Sequence, residues 1–515
     1  MKPRIVSARW VIAAADKWLQ NHSVVIRGPR IAEVLPTDAA LQRYAGCEVI
    51  GGDAFAVIPG LINAHHHCVG VPYRDQGIAD DILEFWLFAT LGAAPIPTSI
   101  STKMDAIALL KSGVTSVVDM CSTGSSPAEL EARVADKAEA YGAVGLRAAI
   151  APGERWKNRL VHAEGEESAF LHSLPSPLRA RLSRLQDGEA RLAPDAYLAA
   201  MSRLAEAYRC DPAVSVWFGP VAPHWTPDET LRAILAAAEA LDTRVQTHAL
   251  ESFYEGLESA RSRGRSLIRH LHTLDLLHPR LSLAHMVWAA PDEIELLAAA
   301  GVPVVCNPSS NLRLRSGVAP GAGFAAAGIP LALGLDGTSL ADDEDIFAEM
   351  RLFLNLNRPA RQDAEALDVG DVFRAATEGG ARVLGRAGEI GRIEPGRDAD
   401  LVLIELSRLA RPWLSPALPP LDVIVNRAKA TDVRHVFVRG ELRLRDRQVL
   451  GVDEDEVERQ IAEAIRASAP RSEQRQLAAD LRPHLAAWYG GWEDDSVRRD
   501  EATAAPMAQS TSSIG

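Results

Sequence analysis

From Pro59 to about residue 385 the chain alternates short apolar runs with Ala-, Leu-, Glu- and Arg-rich stretches of helical spacing, and this alternation limits the available folds more than any other feature. The apolar runs are the strand leading into His65, then Thr115–Met120, Leu146–Ala151, Val214–Val221, Arg244–Thr247, Leu281–Ala284, Val302–Cys306 and Leu331–Leu335, eight in all. Helical stretches such as Asp228–Leu241 and Asp292–Ala300 separate them. Repeated strand-then-helix units imply a parallel sheet, and eight of them fit a closed (β/α)8 TIM barrel of the α/β class. The open doubly wound sheet expects a Gly-rich phosphate turn after its first strand, and this sequence has none there.

The two flanks have a different texture. Residues 1–57 carry β-rich stretches at Arg4–Val6, Trp10–Ala13, Ser23–Ile26, Arg30–Val34 and Glu48–Ile50. β character returns over 386–450, at Gly391–Ile393, Asp400–Ile404, Asp422–Val425, Val433–Arg439 and Glu441–Leu444. The expectation is therefore a barrel over 58–385 and a smaller β-sandwich domain built from both ends of the chain. Residues 451–493 predict a C-terminal helical segment, with Leu477, Leu481, Leu485 and Trp488 on one side and a kink at Pro483. From Asp494 to Gly515 the composition turns charged and then Ala/Ser/Thr-rich, which predicts a disordered tail.

Composition narrows the setting. Apolar residues are 47% and charged residues 24% of the 515, the balance of an ordinary globular protein. A net charge of −13 disfavours nucleic acid or an anionic membrane as a partner and suits a small neutral or cationic ligand. No run reaches the roughly 18 apolar residues of a membrane span, and the N-terminus lacks a secretory apolar core. Five scattered cysteines without a Cys-x-x-Cys pair point to a reduced, cytoplasmic setting.

The chemistry begins at His65 and His67, which as alternate residues of a strand project to one face and can grip one ion. His248, with Glu251 three residues on, His285 and Asp336 each follow an apolar run of their own, at strand ends where a barrel assembles its site. His65, His67, His248 and Asp336 supply the imidazole nitrogens and carboxylate that zinc accepts. Water held by such an ion ionises near pH 7, at a pKa of about 7. Asp336 can bind the ion and take the water's proton, Glu251 can carry that proton to a leaving nitrogen, and His285 can hold the attacking oxygen or polarise the substrate. His66 projects to the opposite face and reads as structural, and Cys68 and Cys306 read as small buried fillers. A two-metal version needs a bridging carbamylated lysine, and no lysine lies between Lys157 and Lys429, which favours one divalent ion per chain.

These residues resemble the amidohydrolase superfamily, in particular its mononuclear aminohydrolase branch of cytosine, guanine and S-adenosylhomocysteine deaminases and triazine hydrolases. The resemblance runs over about residues 1–450 and rests on Pro59–His67, Ala222-Pro-His224, His248-Ala-Leu-Glu251, Ala284-His285, Asn307–Asn311 and Gly334-Leu-Asp-Gly337. It implies zinc, or alternatively iron, on His65, His67, His248 and Asp336, a proton-handling pair in Glu251 and His285, and a homodimer or larger assembly. It also implies that His224 faces the substrate, with Asn311 near it. Tyr73, Trp86 and Trp288 lie in or near strand-end loops and could form an aromatic, flat pocket, with Phe85, Trp156 and Trp225 as further candidates. In nucleoside-deaminating members a glutamate directly precedes the tryptophan of the first loop. Here Phe85 precedes Trp86 and Glu84 is one place away, which argues against a nucleoside.

The expected reaction is hydrolytic deamination of an amino-substituted carbon in an aromatic nitrogen heterocycle, with release of ammonia. The rivals are loss of chloride or alkylamine from a triazine-like ring, hydrolysis of an amide or urea C–N bond, and a noncatalytic barrel kept as an interaction scaffold.

Overall fold

The computed structural model describes residues 2–163, 165–187 and 191–503. Its first four strands, β1 (Arg4–Ala14), β2 (Lys17–Arg27), β3 (Arg30–Pro36) and β4 (Glu48–Pro59), lead directly into eight more. These are β5 (Leu61–His66), β6 (Val114–Ser122), β7 (Arg147–Gly153), β8 (Val214–Val216), β9 (Val245–Ala249), β10 (Leu281–His285), β11 (Val304–Cys306) and β12 (Leu331–Leu333). The chain then returns with β13 (Leu401–Glu405), β14 (Val433–Val438), β15 (Glu441–Arg445) and β16 (Gln448–Val449).

All pairings among the eight central strands are parallel, in two four-stranded sheets ordered β5-β6-β7-β8 and β9-β10-β11-β12. A parallel bridge between Phe218 and Val245 joins β8's continuation to β9. At the other junction the Asp336 N–H donates to the His65 carbonyl at 3.0 Å and the Leu335 N–H to Asn63 Oδ1 at 3.0 Å. The strands read as unbroken apolar runs because helices cover them, leaving no solvated face to alternate with.

Both ends of the chain contribute to one mixed sheet, ordered β16-β15-β14-β13-β4-β1-β2-β3, in which only β1 and β4 pair in parallel. Its two faces follow the period-2 rule: on β13, Leu401 and Leu403 close a core with Val6, Val11 and Phe437, while Val402 and Ile404 join the large core that runs under the parallel strands. The sheet is thereby locked to the element that follows it.

Three expectations change. Asp422–Val425 is part of a helix, Pro420–Arg427, because Leu421, Ile424 and Val425 bury one helical face and Pro420 sits at the first turn, where its missing N–H costs nothing. Gly391–Ile393 is irregular chain that bends, docked through the Ile393 N–H to the Ala13 carbonyl at 2.9 Å. The C-terminal segment forms helices Glu454–Ala467 and Ser472–Thr503, so irregular chain does not begin at Asp494; residues 504–515 of the expected tail lie outside the described residues. Among the described residues no helix is long and apolar enough to cross a membrane.

Candidate metal centre

The carboxyl ends of β5, β9, β10 and the turn after β12 bring His65, His67, His248, His285 and Asp336 together. His65 Nε2 lies 3.0 Å and His67 Nε2 3.4 Å from Asp336 Oδ1. His67 Nε2 faces His248 Nε2 at 3.0 Å, and His285 Nε2 is 3.9 Å from Asp336 Oδ2. One ligand atom from each of His65, His248, His285 and Asp336 falls within 4.8 Å of all the others. The chain takes left-handed backbone to achieve this, with φ of 74° at His285 and 61° at Asp336, neither of them glycine. Such geometry costs of order 1–3 kcal/mol per residue and persists where the surroundings enforce it.

The second nitrogen of each ring fixes its tautomer. His67 Nδ1 donates to the Met120 carbonyl at 2.9 Å and His248 Nδ1 to the Val221 carbonyl at 2.6 Å. Gln246 Nε2 donates to the Ala64 carbonyl and Ser282 Oγ, which leaves its Oε1 to accept from His65 Nδ1 at 2.9 Å. Asn311 Oδ1 accepts from His285 Nδ1 at 2.9 Å, closer than Asn307 Nδ2 at 3.3 Å. Every Nε2 therefore presents a lone pair to the same small volume, beside an anionic carboxylate. Acceptors 3.0 Å apart repel unless positive charge lies between them, and the buried Nε2 atoms of His65 and His285 have no hydrogen-bond partner. This is the donor set of a divalent cation site.

Protonation supports the same chemistry. Burial, and then the neighbouring imidazoles of His65, His67 and His285, hold His248 well below the usual histidine range, and burial also lowers His285. Burial works against the Asp336 carboxylate, yet His285 and His65 keep it well below the ordinary range and hence ionised. Glu251 goes the other way: burial and the charges of Asp336, Glu255 and Glu84 push it well above. Its Oε2 is 3.7 Å from His285 Nε2. Two neighbouring carboxyls whose surroundings push their proton affinities in opposite directions are what a proton relay needs.

Glu255, a residue the sequence reading passed over, presents Glu251. Its two carboxylate oxygens accept from the Leu250 and Glu251 N–H groups at 2.8 Å each, holding Leu250 at φ 50°. Its own N–H donates to Ser252 Oγ at 3.0 Å, the cap of helix Phe253–Arg263. The signal was available, since an acid three residues after a serine marks a helix start.

A cavity of about 500 Å³ opens above the cluster, with His67, His248, Glu251 and Asp336 at its base. Tyr73 and Trp86 line it, their rings 5.6 Å apart, and so does Trp225, which carries the Arg155 guanidinium 3.8 Å from its ring centroid. Three expected substrate contacts are not on that lining. His224 is buried edge-on against His162, with Nδ1 3.4 Å from Glu255 Oε1. Asn311 stands behind His285 as its hydrogen-bond acceptor, and Trp288 lies 43% exposed with its Nε1 donating to the Ser316 carbonyl. Glu84 is likewise turned away from the cavity, accepting from Ser252 Oγ and lying 2.8 Å from His162 Nε2.

Comparison with known proteins gives the family. Residues 56–443 fit the amidohydrolase family pattern. The chain is 30% identical over 455 residues, 87% of its length and 94% of the relative's, to a 5-methylthioadenosine/S-adenosylhomocysteine deaminase of Syntrophobacter fumaroxidans. It is 32% identical to a 5'-deoxyadenosine deaminase of Methanothermobacter thermautotrophicus, over 87% of this chain and 95% of the other. A zinc-bound adenosine deaminase from Xanthomonas campestris superposes with a TM-score of 0.75 at 29% identity, covering 90% of this chain and 98% of that one. With three-quarters of its length inside the family pattern and the strand-end His/Asp cluster in place, the chain belongs to the amidohydrolase family.

Proposed function

We propose that this protein is a metal-dependent aminohydrolase that replaces the amino group on a ring carbon of a purine-like heterocycle with oxygen and releases ammonia. The observation that carries the reading is the convergence of imidazole nitrogens on Asp336, with the Glu251 carboxyl 3.7 Å from His285 Nε2 beside them. The eight parallel strands are read as a closed (β/α)8 barrel, and the ion as one zinc per chain held by His65, His67, His248 and Asp336, with His285 at the same centre.

Zinc at this position supplies a Lewis acid that makes water nucleophilic at neutral pH. Asp336, kept ionised, accepts the proton the attacking water gives up. His285, its Nδ1–H fixed on Asn311, offers Nε2 towards the attacking or developing ring oxygen. Glu251 delivers its proton to the departing amine, which leaves as ammonia as the C–N bond breaks; the proton held by Asp336 then restores Glu251, and the new ring hydroxyl passes its proton to the neighbouring ring nitrogen, so that the ring carbon becomes a carbonyl. Water and an aminated ring go in, ammonia and an oxo-substituted ring come out, and the protons balance. The relatives' names make adenosine-type nucleosides the first substrates to try.

The test is elemental analysis of freshly purified protein together with an ammonia-release screen over aminated purines, pterins, pyrimidines and triazines. About one zinc per chain with ammonia from a purine supports the reading. One metal with chloride, amide or urea hydrolysis in its place would reassign the reaction, and absence of metal binding after reconstitution would leave only a scaffold.

A further inference from the structure

The helix Ser472–Thr503 lies beyond residues 56–443, the part matched by the family, yet it packs against the substrate cavity's wall. Leu477, Leu481, Leu485, Tyr489 and Trp492 form a buried stripe at helical spacing, seated on Leu160, Phe170 and Tyr254. Tyr254 belongs to the helix that follows Glu251, and the Tyr489 hydroxyl accepts the His162 N–H at 3.1 Å.

The wall that this helix borders is the chain from Tyr73 to Ile96, which gives the cavity Tyr73, Gln76, Leu83, Trp86, Leu87 and Thr90. Its own regular structure is slight: helices Tyr73–Gln76, Leu83–Ala89 and Thr90–Gly92 of four, seven and three residues. Helices this short do not hold their shape alone. The C-terminal helix ties the wall at three points. Arg475 donates to the Gln76 carbonyl at 2.8 Å and to the Gly92 carbonyl at 3.1 Å, bridging the wall's two ends. Arg482 donates to Asp81 at 2.7 Å and lies 5.2 Å over the Phe85 ring, next to Trp86. Gly92 makes room for this, because a methyl group there would come within 2.5 Å of Arg475 Cγ.

We infer that the C-terminal helix is a specificity element that holds the substrate wall in its binding shape, with Arg475 and Arg482 as positioning residues. The clamp touches none of the metal-site residues, so its effect belongs on substrate binding and not on the chemical step. The kinetic form of the inference rests on the aminohydrolase reading.

The experiment compares the zinc-loaded full-length protein with Arg475→Ala, Arg482→Ala, Gly92→Ala and Arg475→Lys, using 5'-deoxyadenosine for ammonia-release kinetics. Backbone hydrogen exchange is followed alongside. The first three are expected to raise KM about tenfold with kcat within about twofold and zinc content unchanged. Exchange should quicken across residues 72–97 but not across β5, and Arg475→Lys should recover part of the loss. An unchanged KM with unchanged exchange, or a fall in kcat at constant KM, would overturn the clamp. If 5'-deoxyadenosine releases no ammonia, the reaction assignment fails on that substrate while the exchange measurement still decides the clamp.

Discussion

Two buried polar clusters sit within a few residues of each other on β5 and β6, built from the same residue types, and they behave in opposite ways. In one, Lys137 Nζ and the Tyr141 hydroxyl both donate to Asp119 Oδ2, at 2.7 and 2.8 Å, and Cys68 Sγ lies 3.1 Å from the same hydroxyl. His66, Cys68 and Asp105 are spaced closely enough there to hold an ion, but the cluster already contains cations. Lys137 is one, and although burial opposes a charge on His66, Glu344, Cys68 and Asp105 together outweigh it and raise that histidine well above its usual range. The other cluster, one residue along each strand at His65 and His67 and the Met120 carbonyl, turns imidazole nitrogens toward a carboxylate, with no lysine or arginine among its described residues. Counting His, Cys and Asp does not separate a scaffold from a site, whereas the balance of donors and acceptors does.

The contrast can be broken most severely by Glu251→Gln. It should keep full zinc content and lose about 10²- to 10⁴-fold in kcat, the usual span for removing a positioned proton carrier; turnover equal to the parent would remove Glu251 from the mechanism. Lys137→Met tests the other cluster. It strands Asp119 in the interior and should cost about 3–5 kcal/mol in denaturant unfolding, with metal stoichiometry unchanged. Metal lost in step with stability would erase the distinction between the clusters.

Acid should act on the frame around the site. Burial resists ionisation of Glu255, but His224 and the Glu251 N–H bring it down to about 2, against an ordinary 4.5. A lowered folded-state value means stability fully present above pH 4.5 and lost as the pH falls towards 2, by roughly 3 kcal/mol from this group. Unfolding of Glu255→Gln should lack that share of the acid dependence; an identical pH profile would deny it. The smallest effect is expected for Asn311→Ala, which frees the His285 tautomer and should weaken zinc by about 10- to 100-fold in a chelator competition. No change would mean that the ring is held elsewhere.

Much of this was legible in the sequence for physical reasons. A residue directly after an apolar strand has its position set by that strand, so His65, His248, His285 and Asp336 could be gathered without knowing any loop. The aromatic wall could not. Tyr73 and Trp86 reach the cavity and Trp288 does not, because loop residues are placed by what packs on them. His224, expected at the substrate, is placed otherwise for a related reason: with Glu84 it is drawn into a buried polar network with His162, Ser252 and Glu255 that no local pattern announces. Asp422–Val425 failed because a short apolar run serves a strand or a buried helix face equally well.

The central claim is that the divalent ion belongs to the cluster of opposed imidazole lone pairs. Zinc K-edge X-ray absorption on the zinc-loaded protein tests it directly, because Zn–N and Zn–O distances near 2.0–2.1 Å separate cleanly from Zn–S near 2.3 Å. A shell of nitrogen and oxygen with imidazole scattering and no sulfur is expected. Sulfur in that shell would put the ion at Cys68 with His66 and Asp105, and would contradict the assignment of the two clusters.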